Sequence, residues 1–404
     1  MANQNHRRNF ISLIGVHLSW AALSLFISVF LVARIFIITG NLGAVAWFNI
    51  VYFTAIALAF IPVSMIVKKH SRVVFLYIAT VLMVLFIALI IFMQDSLVDY
   101  YIFYAGALGI VQGFYWTGMH ALGVELMAGK KMMSFQAVLQ IGQSTVGIVF
   151  PLVLGIVIDL VAFRAAAVLA LIMGAMCFVF ALHLRQEQPI GTKLSLRGFF
   201  RAVKSVGQMR AVWLNFCVQF FMAMLWLSSI FTTVLIITVF GGADSYGGSL
   251  ELGLYTSLFA VCAITLIMLY RTIKNRKFKK TMFAICGVVP VLLAIPLLFE
   301  VNALTLLVAM FGVASLGLVV RVEAGRAGYN VMKEIGKQEW LVESNLLIEF
   351  VYLLTRIIFL SVMLLAFYLD AFIIFQILFV VLASSTLWMW ILINRFKRSC
   401  NKLR

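Results

Sequence analysis

Apolar residues in this chain come in runs of about twenty, broken by short polar segments, and the runs lack the two-residue alternation of barrel strands. The first six cover residues 10–32, 43–67, 73–92, 100–122, 135–158 and 161–184. A polar, basic stretch follows at 185–210, and then a second six at 212–240, 252–270, 281–298, 303–322, 341–367 and 371–393, the tenth extending as far as Arg326. At about 1.5 Å of rise per residue, each run can cross a hydrocarbon layer as one helix. The pattern predicts an all-α membrane protein of twelve transmembrane helices. It divides into six-helix bundles over 1–184 and 211–404, joined by a basic linker over 185–210, with a basic tail closing the second bundle. Arg7 and Arg8 ahead of the first run mimic a signal peptide, but that run exceeds the usual apolar region of about 7–15 residues. It reads as a permanent span.

Composition strengthens the prediction. Hydrophobic residues make up 64% of the chain and charged ones 11%, with a mean hydropathy of +1.11, against about 45–50% and about 25% in globular proteins. A soluble domain could not bury that much apolar surface, and in lipid each backbone amide must find its partner inside the protein. The formal charge of +17 would suggest a nucleic-acid partner in a soluble protein, yet its placement predicts none. On the face that holds the N-terminus, the loops and tail carry 26 lysines and arginines, whereas the opposite face has only Arg34 and Arg164. Such asymmetry predicts that both termini are cytoplasmic. The opposite loops instead carry Asp95, Asp99, Asp159, Asp244, Glu251, Glu300 and Asp370. Cys177, Cys217, Cys262, Cys286 and Cys400 show no metal or redox spacing and read as small packing residues.

The halves repeat each other in layout. A short basic loop follows the second span of each, at 68–72 and 271–280, and two lysines join the fourth to the fifth span of each, Lys130 and Lys131 in one, Lys333 and Lys337 in the other. This suggests parallel repeats about an axis along the membrane normal. Six plus six spans, cytoplasmic termini and these basic loops together resemble the major facilitator superfamily. The family's Gly-x-x-x-Asp-Arg-x-Gly-Arg-Arg loop has its counterpart at Ser64 to Arg72, where Lys68, Lys69 and Arg72 keep the basic character without the glycines and aspartate. Its Arg-x-x-Gln-Gly is met by Gln112-Gly113, with Gly109 at the arginine position. Gly147, Pro151 and Gly155 partly match the Gly-x-x-x-Gly-Pro-x-x-Gly-Gly signature of family exporters, although a proline kink beside small packing residues accounts for them equally well. The resemblance implies a bacterial cytoplasmic-membrane transporter that works as a monomer.

Ionisable residues inside spans cost about 2.5–3.5 kcal/mol on an insertion scale, so they usually face a cavity or a partner. Arg321, Glu323 and Arg326 fall in the tenth span, Glu349 and Arg356 in the eleventh. Helical rise puts Glu349 near the level of Arg321 to Arg326, which suggests a pair between helices. Arg356, deeper and with no acid at its own depth, is the first candidate for substrate contact. Asn345, Glu349, Tyr352 and Arg356 share one helical face, as do Gln136, Gln140, Gln143 and Ser144 of the fifth span. These stripes are expected to converge on a central cavity. Asn215, Gln219, Trp226 and Thr233 are candidates in the seventh span, and His17, Tyr115, Trp116, His120 and Glu125 in the first half. His17 and His120 read as satisfied interior histidines before proton relays. Glu125, Glu323 and Arg326 lie near enough to the interface to snorkel, and with Lys68, Lys69, Arg72, Gly147 and Pro151 they form the gating candidates.

The deep charge is positive, and a guanidinium suits carboxylate or phosphate. The expected function is secondary transport by alternating access: proton-coupled export of an anionic or amphiphilic small molecule or lipid-like solute, with Glu349 or Glu323 carrying the proton. A proton-coupled importer of an anionic nutrient remains an alternative, as does a non-transporting assembly factor or lipid-modifying enzyme. No cofactor is expected beyond the proton gradient. The five histidines lack metal-ligand spacing, and there is neither a Walker loop nor a nucleophile elbow.

Overall fold

The computed structural model describes residues 2–67, 71–93, 96–126, 130–184, 194–205, 207–240, 248–335, 340–369 and 371–401. Among these the secondary structure is helical throughout. Twelve long helices follow the predicted runs. The first half holds α1 (2–39), α2 (Leu42–Val67), α3 (Arg72–Phe92), α4 (Leu97–Leu126), α5 (Lys130–Leu160) and α6 (Phe163–Leu182). After a short linker helix, Leu196–Ser205, come α7 (Met209–Phe240), α8 (Ser249–Thr272), α9 (Arg276–Leu298), α10 (303–335), α11 (Leu341–Tyr368) and α12 (Phe372–Asn401). The helices outrun the apolar stretches, because hydrogen bonding continues into the polar residues beyond the hydrocarbon. Thus α1 starts at Ala2 rather than near residue 10, and α10 continues to Ile335. Both helices contain a π-helical segment, Phe26–Leu31 and Phe311–Leu316.

Eleven of these helices, among the described residues, are long and apolar enough to cross a membrane. The remaining long helix, α4, is diluted by Tyr100, Tyr101, Tyr104, Gln112, Tyr115 and Trp116. Its polar groups are tolerated because α4 is sheltered: Tyr104, Gln112 and Tyr115 are all buried, and α4 lies along both α2 and α3. On the outside the reverse holds. Leu58, Leu85, Val179 and Leu292 are more than half exposed, as lipid-facing side chains must be when the solvent is hydrocarbon.

Two close approaches set the frame. A β-carbon at Gly109 would strike the Tyr52 carbonyl oxygen, and one at Gly113 would stand 2.8 Å from the Ile56 carbonyl oxygen. Glycine therefore lets α4 press against α2, and the side chain of an arginine, the family's usual residue at that position, would have no room there. Across the molecule, α5 lies along α8. There a β-carbon at Gly253 would strike the Pro151 carbonyl oxygen, and one at Gly155 would come 2.8 Å from that of Ser249. Small residues gain dispersion contacts between backbones in lipid, where apolar burial supplies little drive. Gly147 has no such role, since nothing lies within 4 Å of where its β-carbon would be.

The linker helix is amphipathic and docked. Phe199 and Val203 are fully buried beside Val212 and Phe216 of α7, with Leu347 and Val351 of α11 packed against the same cluster. Arg197, Arg201 and Lys204 stay exposed. The Ser195 amide donates to the Glu343 carboxylate at 3.0 Å, which ties the start of the linker helix to the start of α11.

Candidate functional site

A cavity of about 660 Å³ opens between the halves, lined by α1, α2 and α4 on one side and by α7, α10 and α11 on the other. The first wall presents Ser24, Asn49, Tyr52, Gln112, Trp116 and His120. Opposite stand Asn215, Gln219 and Trp226 of α7 and the whole polar stripe of α11, Asn345, Glu349, Tyr352 and Arg356. Apolar side chains such as Ile27, Ile56, Leu227 and Ile230 fill the space between these polar groups.

Arg356 is 8% exposed, and aromatic rings surround its guanidinium. The Cζ atom lies 4.2 Å from the Phe53 ring centroid on α2, 5.3 Å from that of Tyr352 and 5.9 Å from that of Trp226. Desolvated cation–π contacts of this kind contribute about 2 kcal/mol. The Glu349 carboxylate stands 4.0 Å from Arg356 Nη1, so the acid at the depth of Arg356 comes from its own helix, two turns away. The expectation that Glu349 would pair with the Arg321 to Arg326 group is therefore wrong. Spacing along the axis gave the right level, but the long side chains of one stripe reach each other first. Tyr352 donates to Gln219 Oε1 at 2.5 Å, and Gln219 Nε2 donates to Asn215 Oδ1 at 3.4 Å, linking α11 to α7. Trp226 meets Tyr352 edge-on, ring centroids 5.2 Å apart.

Behind the other wall lies a neutral network. His17 of α1 uses both ring nitrogens, Nδ1 with the Tyr115 hydroxyl at 2.8 Å and Nε2 with the Gln143 amide at 2.6 Å. The Gln143 amide nitrogen can only donate, so Nε2 accepts and Nδ1–H donates to the Tyr115 hydroxyl, which satisfies both nitrogens of a neutral imidazole. Trp20 donates to Gln112 Oε1 at 2.9 Å, and Gln112 donates on to Ser24 at 3.2 Å. Trp20 and Tyr115 stack with ring centroids 3.8 Å apart and planes 3° from parallel. Trp116 stacks on His120, and both rings reach the cavity.

The sequence candidates thus separate. Arg356, Glu349, Tyr352, Asn345, Asn215, Gln219, Trp226 and His120 line the cavity. Tyr115 and Gln143 stand one layer behind it, and Arg321 of α10 approaches Trp226 with its Cζ 5.9 Å from the ring. Glu323 is turned away, 3.8 Å from Arg326 and within reach of the Tyr270 hydroxyl on α8. Arg72 is buried at the start of α3, while Pro151 belongs to the α5–α8 contact. Lys68 and Lys69, with the side chains of Glu125 and Gln140, lie outside the described residues.

Sequence reasoning missed Ser24, Asn49, Tyr52 and Phe53 as lining residues. Around α2 the apolar residues are spread almost evenly, so no stripe marks its cavity face; only Asn49 and Tyr52, at i and i+3, carried a faint signal. Among the described residues, no three metal-ligating side chains come together.

None of the curated proteins matches the sequence. Solved structures do match in fold. A bacterial homologue of the human drug peptide transporters PepT1 and PepT2 superposes with a TM-score of 0.68 at 11% identity, covering 99% of this chain and 100% of that one. The nucleoside transporter NupG gives 0.64 at 12% identity, with 97% and 99% covered. A bacterial homologue of the iron transporter ferroportin, in its inward-facing state, gives 0.65 at 14%, with 98% and 99% covered. The sequence model of the Major Facilitator Superfamily matches residues 10–324, well over half of the chain. With its membrane-spanning helices and a cavity between two helical halves, the chain belongs to the major facilitator superfamily.

Proposed function

We propose that this transporter moves an anionic, amphiphilic solute by alternating access, with the units 1–184 and 211–404 rocking about the cavity on either side of the linker. The observation that carries this reading is the Arg356 guanidinium, buried in the cavity wall among Phe53, Tyr352 and Trp226. Rings hold the cation in place without neutralising it, and a guanidinium offers paired N–H donors to a carboxylate or phosphate. Apolar lining on both walls suits an apolar body. The structural neighbours are described as a homologue of peptide transporters, a nucleoside transporter and a homologue of an iron transporter, so the nature of the cargo is argued from these side chains instead.

Glu349 is the coupling residue in this reading, with the proton gradient as driving force. Its carboxylate and the incoming anion compete for the Arg356 guanidinium, so the charge state of Glu349 and the occupancy of the site are linked. Both termini face the cytoplasm on the strength of the charge asymmetry, in a bacterial cytoplasmic membrane, and the monomer is the working unit. Export is favoured by the partial Gly147, Pro151, Gly155 signature.

The test begins with purified protein. Anionic amphiphiles that bind the folded state raise its melting temperature, and each hit is then assayed for flux in proteoliposomes under an imposed pH gradient. Arg356→Ala is expected to abolish flux; undiminished transport by that variant would remove Arg356 from the mechanism. Accumulation in the direction opposite to export would make the protein an importer.

A further inference from the structure

Two guanidiniums stand on one indole. Arg356 reaches Trp226 from α11 and Arg321 from α10, each with its Cζ 5.9 Å from the ring. Their charges are therefore no more than twice that distance apart. Among the described residues a single carboxylate accompanies them: Glu349, at 4.0 Å from Arg356, the outer limit of an ion pair. Glu323 lies two residues from Arg321 on α10 but is engaged by Arg326 and Tyr270. Arg321 Nε is buried with no hydrogen-bond partner, and among the described residues no carboxylate pairs with Arg321. The other titratable side chains on the lining, among the described residues, are His120, Tyr52 and Tyr352, and between the ordinary ranges of an imidazole and a phenol none of them adds charge.

We infer that Arg321 and Arg356 together form an anion site around Trp226, selective for a ligand of net charge −1 whose acidic head both guanidiniums accept. The inference rests on the proposed function and deepens it. Among the described side chains one surplus positive charge remains in a desolvated wall, where uncompensated charge is costly. A monoanion cancels it. A zwitterion leaves the surplus in place, a dianion reverses its sign, and a cation adds to it. Arg321 is absent from the cavity lining, so a static view of the pocket undercounts the cationic groups available to the ligand.

Four probes with one aromatic body separate these cases: naphthalene monocarboxylate, naphthalene dicarboxylate, naphthol and naphthylmethylamine, titrated by thermal shift into purified full-length protein at about pH 7.5. The monocarboxylate is expected to bind at least tenfold more tightly than the other three. Arg321→Gln should weaken it at least tenfold, with Arg321→Lys retaining most of the affinity, and Glu349→Gln should shift the preference to the dicarboxylate. If Arg321→Gln binds the monocarboxylate like the wild type while Arg356→Ala does not, the one-arginine reading survives and the two-arginine inference is overturned. If no anion binds the wild type, both fall. Should Arg321→Gln not fold, an unchanged preference in Glu349→Gln overturns the charge count on its own.

Discussion

The two walls of the cavity solve the same problem, polar groups inside a membrane protein, by opposite means. On the side of α1, α2 and α4, His17, Tyr115, Gln143, Trp20 and Gln112 satisfy one another through neutral hydrogen bonds, and glycines press α4 against α2. On the side of α7, α10 and α11, two arginines and one glutamate stand among aromatic rings with their hydrogen-bonding capacity partly unused. A saturated network resists change, whereas an unsaturated one waits for a partner. Under the proposed function, the contrast gives structural support to the first wall and ligand capture to the second.

Substitutions can break that contrast or sharpen it. The largest effect is expected for Arg356→Ala, which strands Glu349 in the wall. Losing one partner of a buried pair costs about 3–5 kcal/mol, reduced to the extent that Glu349 takes up a proton, and anion binding should vanish with it in thermal-shift titrations. Gly109→Leu comes next. Its side chain meets a backbone carbonyl on α2, and overpacking of this kind costs about 1–3 kcal/mol or more, to be read as a lower melting temperature and poorer recovery of folded protein.

His17→Ala addresses the first wall directly. It leaves Tyr115 and Gln143 without their shared partner, at about 1–3 kcal/mol for buried groups left unsatisfied. Anion affinity should stay within about twofold, because His17 supplies no charge and does not line the cavity. A tenfold loss of affinity instead would mean that the neutral network takes part in binding. The smallest effect is expected for Tyr352→Phe, which keeps the ring beside Arg356 and removes only the hydroxyl's bonds to Gln219 and to the Met222 sulfur. A loss of about 0.5–1.5 kcal/mol of stability, with anion binding preserved, would identify the ring rather than the hydroxyl as the part that matters.

Much of this was legible before any coordinates. The helix runs were, because hydrocarbon demands about twenty apolar residues per crossing whatever the neighbours are. The α11 stripe was equally plain, since Asn345, Glu349, Tyr352 and Arg356 recur at helical spacing and a polar face in a span has few places to go. Gln143 was picked out from its own stripe, yet the structure turns it to His17 behind the cavity wall. On α2 the opposite happened: Tyr52 and Phe53 face the cavity from a helix with no visible polar side. A span apolar all round does not announce which way it is rotated.

The sequence by itself therefore determined the solvent of this protein, the position of its helices along the chain, and the presence of charge in the tenth and eleventh spans. Each depends on residues close together in the chain and on their transfer out of water. Only the tertiary structure decided that Glu349 answers Arg356 rather than Arg321, that Glu323 is engaged by Arg326 and Tyr270, and that two guanidiniums share Trp226. Those outcomes depend on how far each helix is rotated and which neighbour it meets, and over side-chain distances of a few ångströms a small rotation changes the partner.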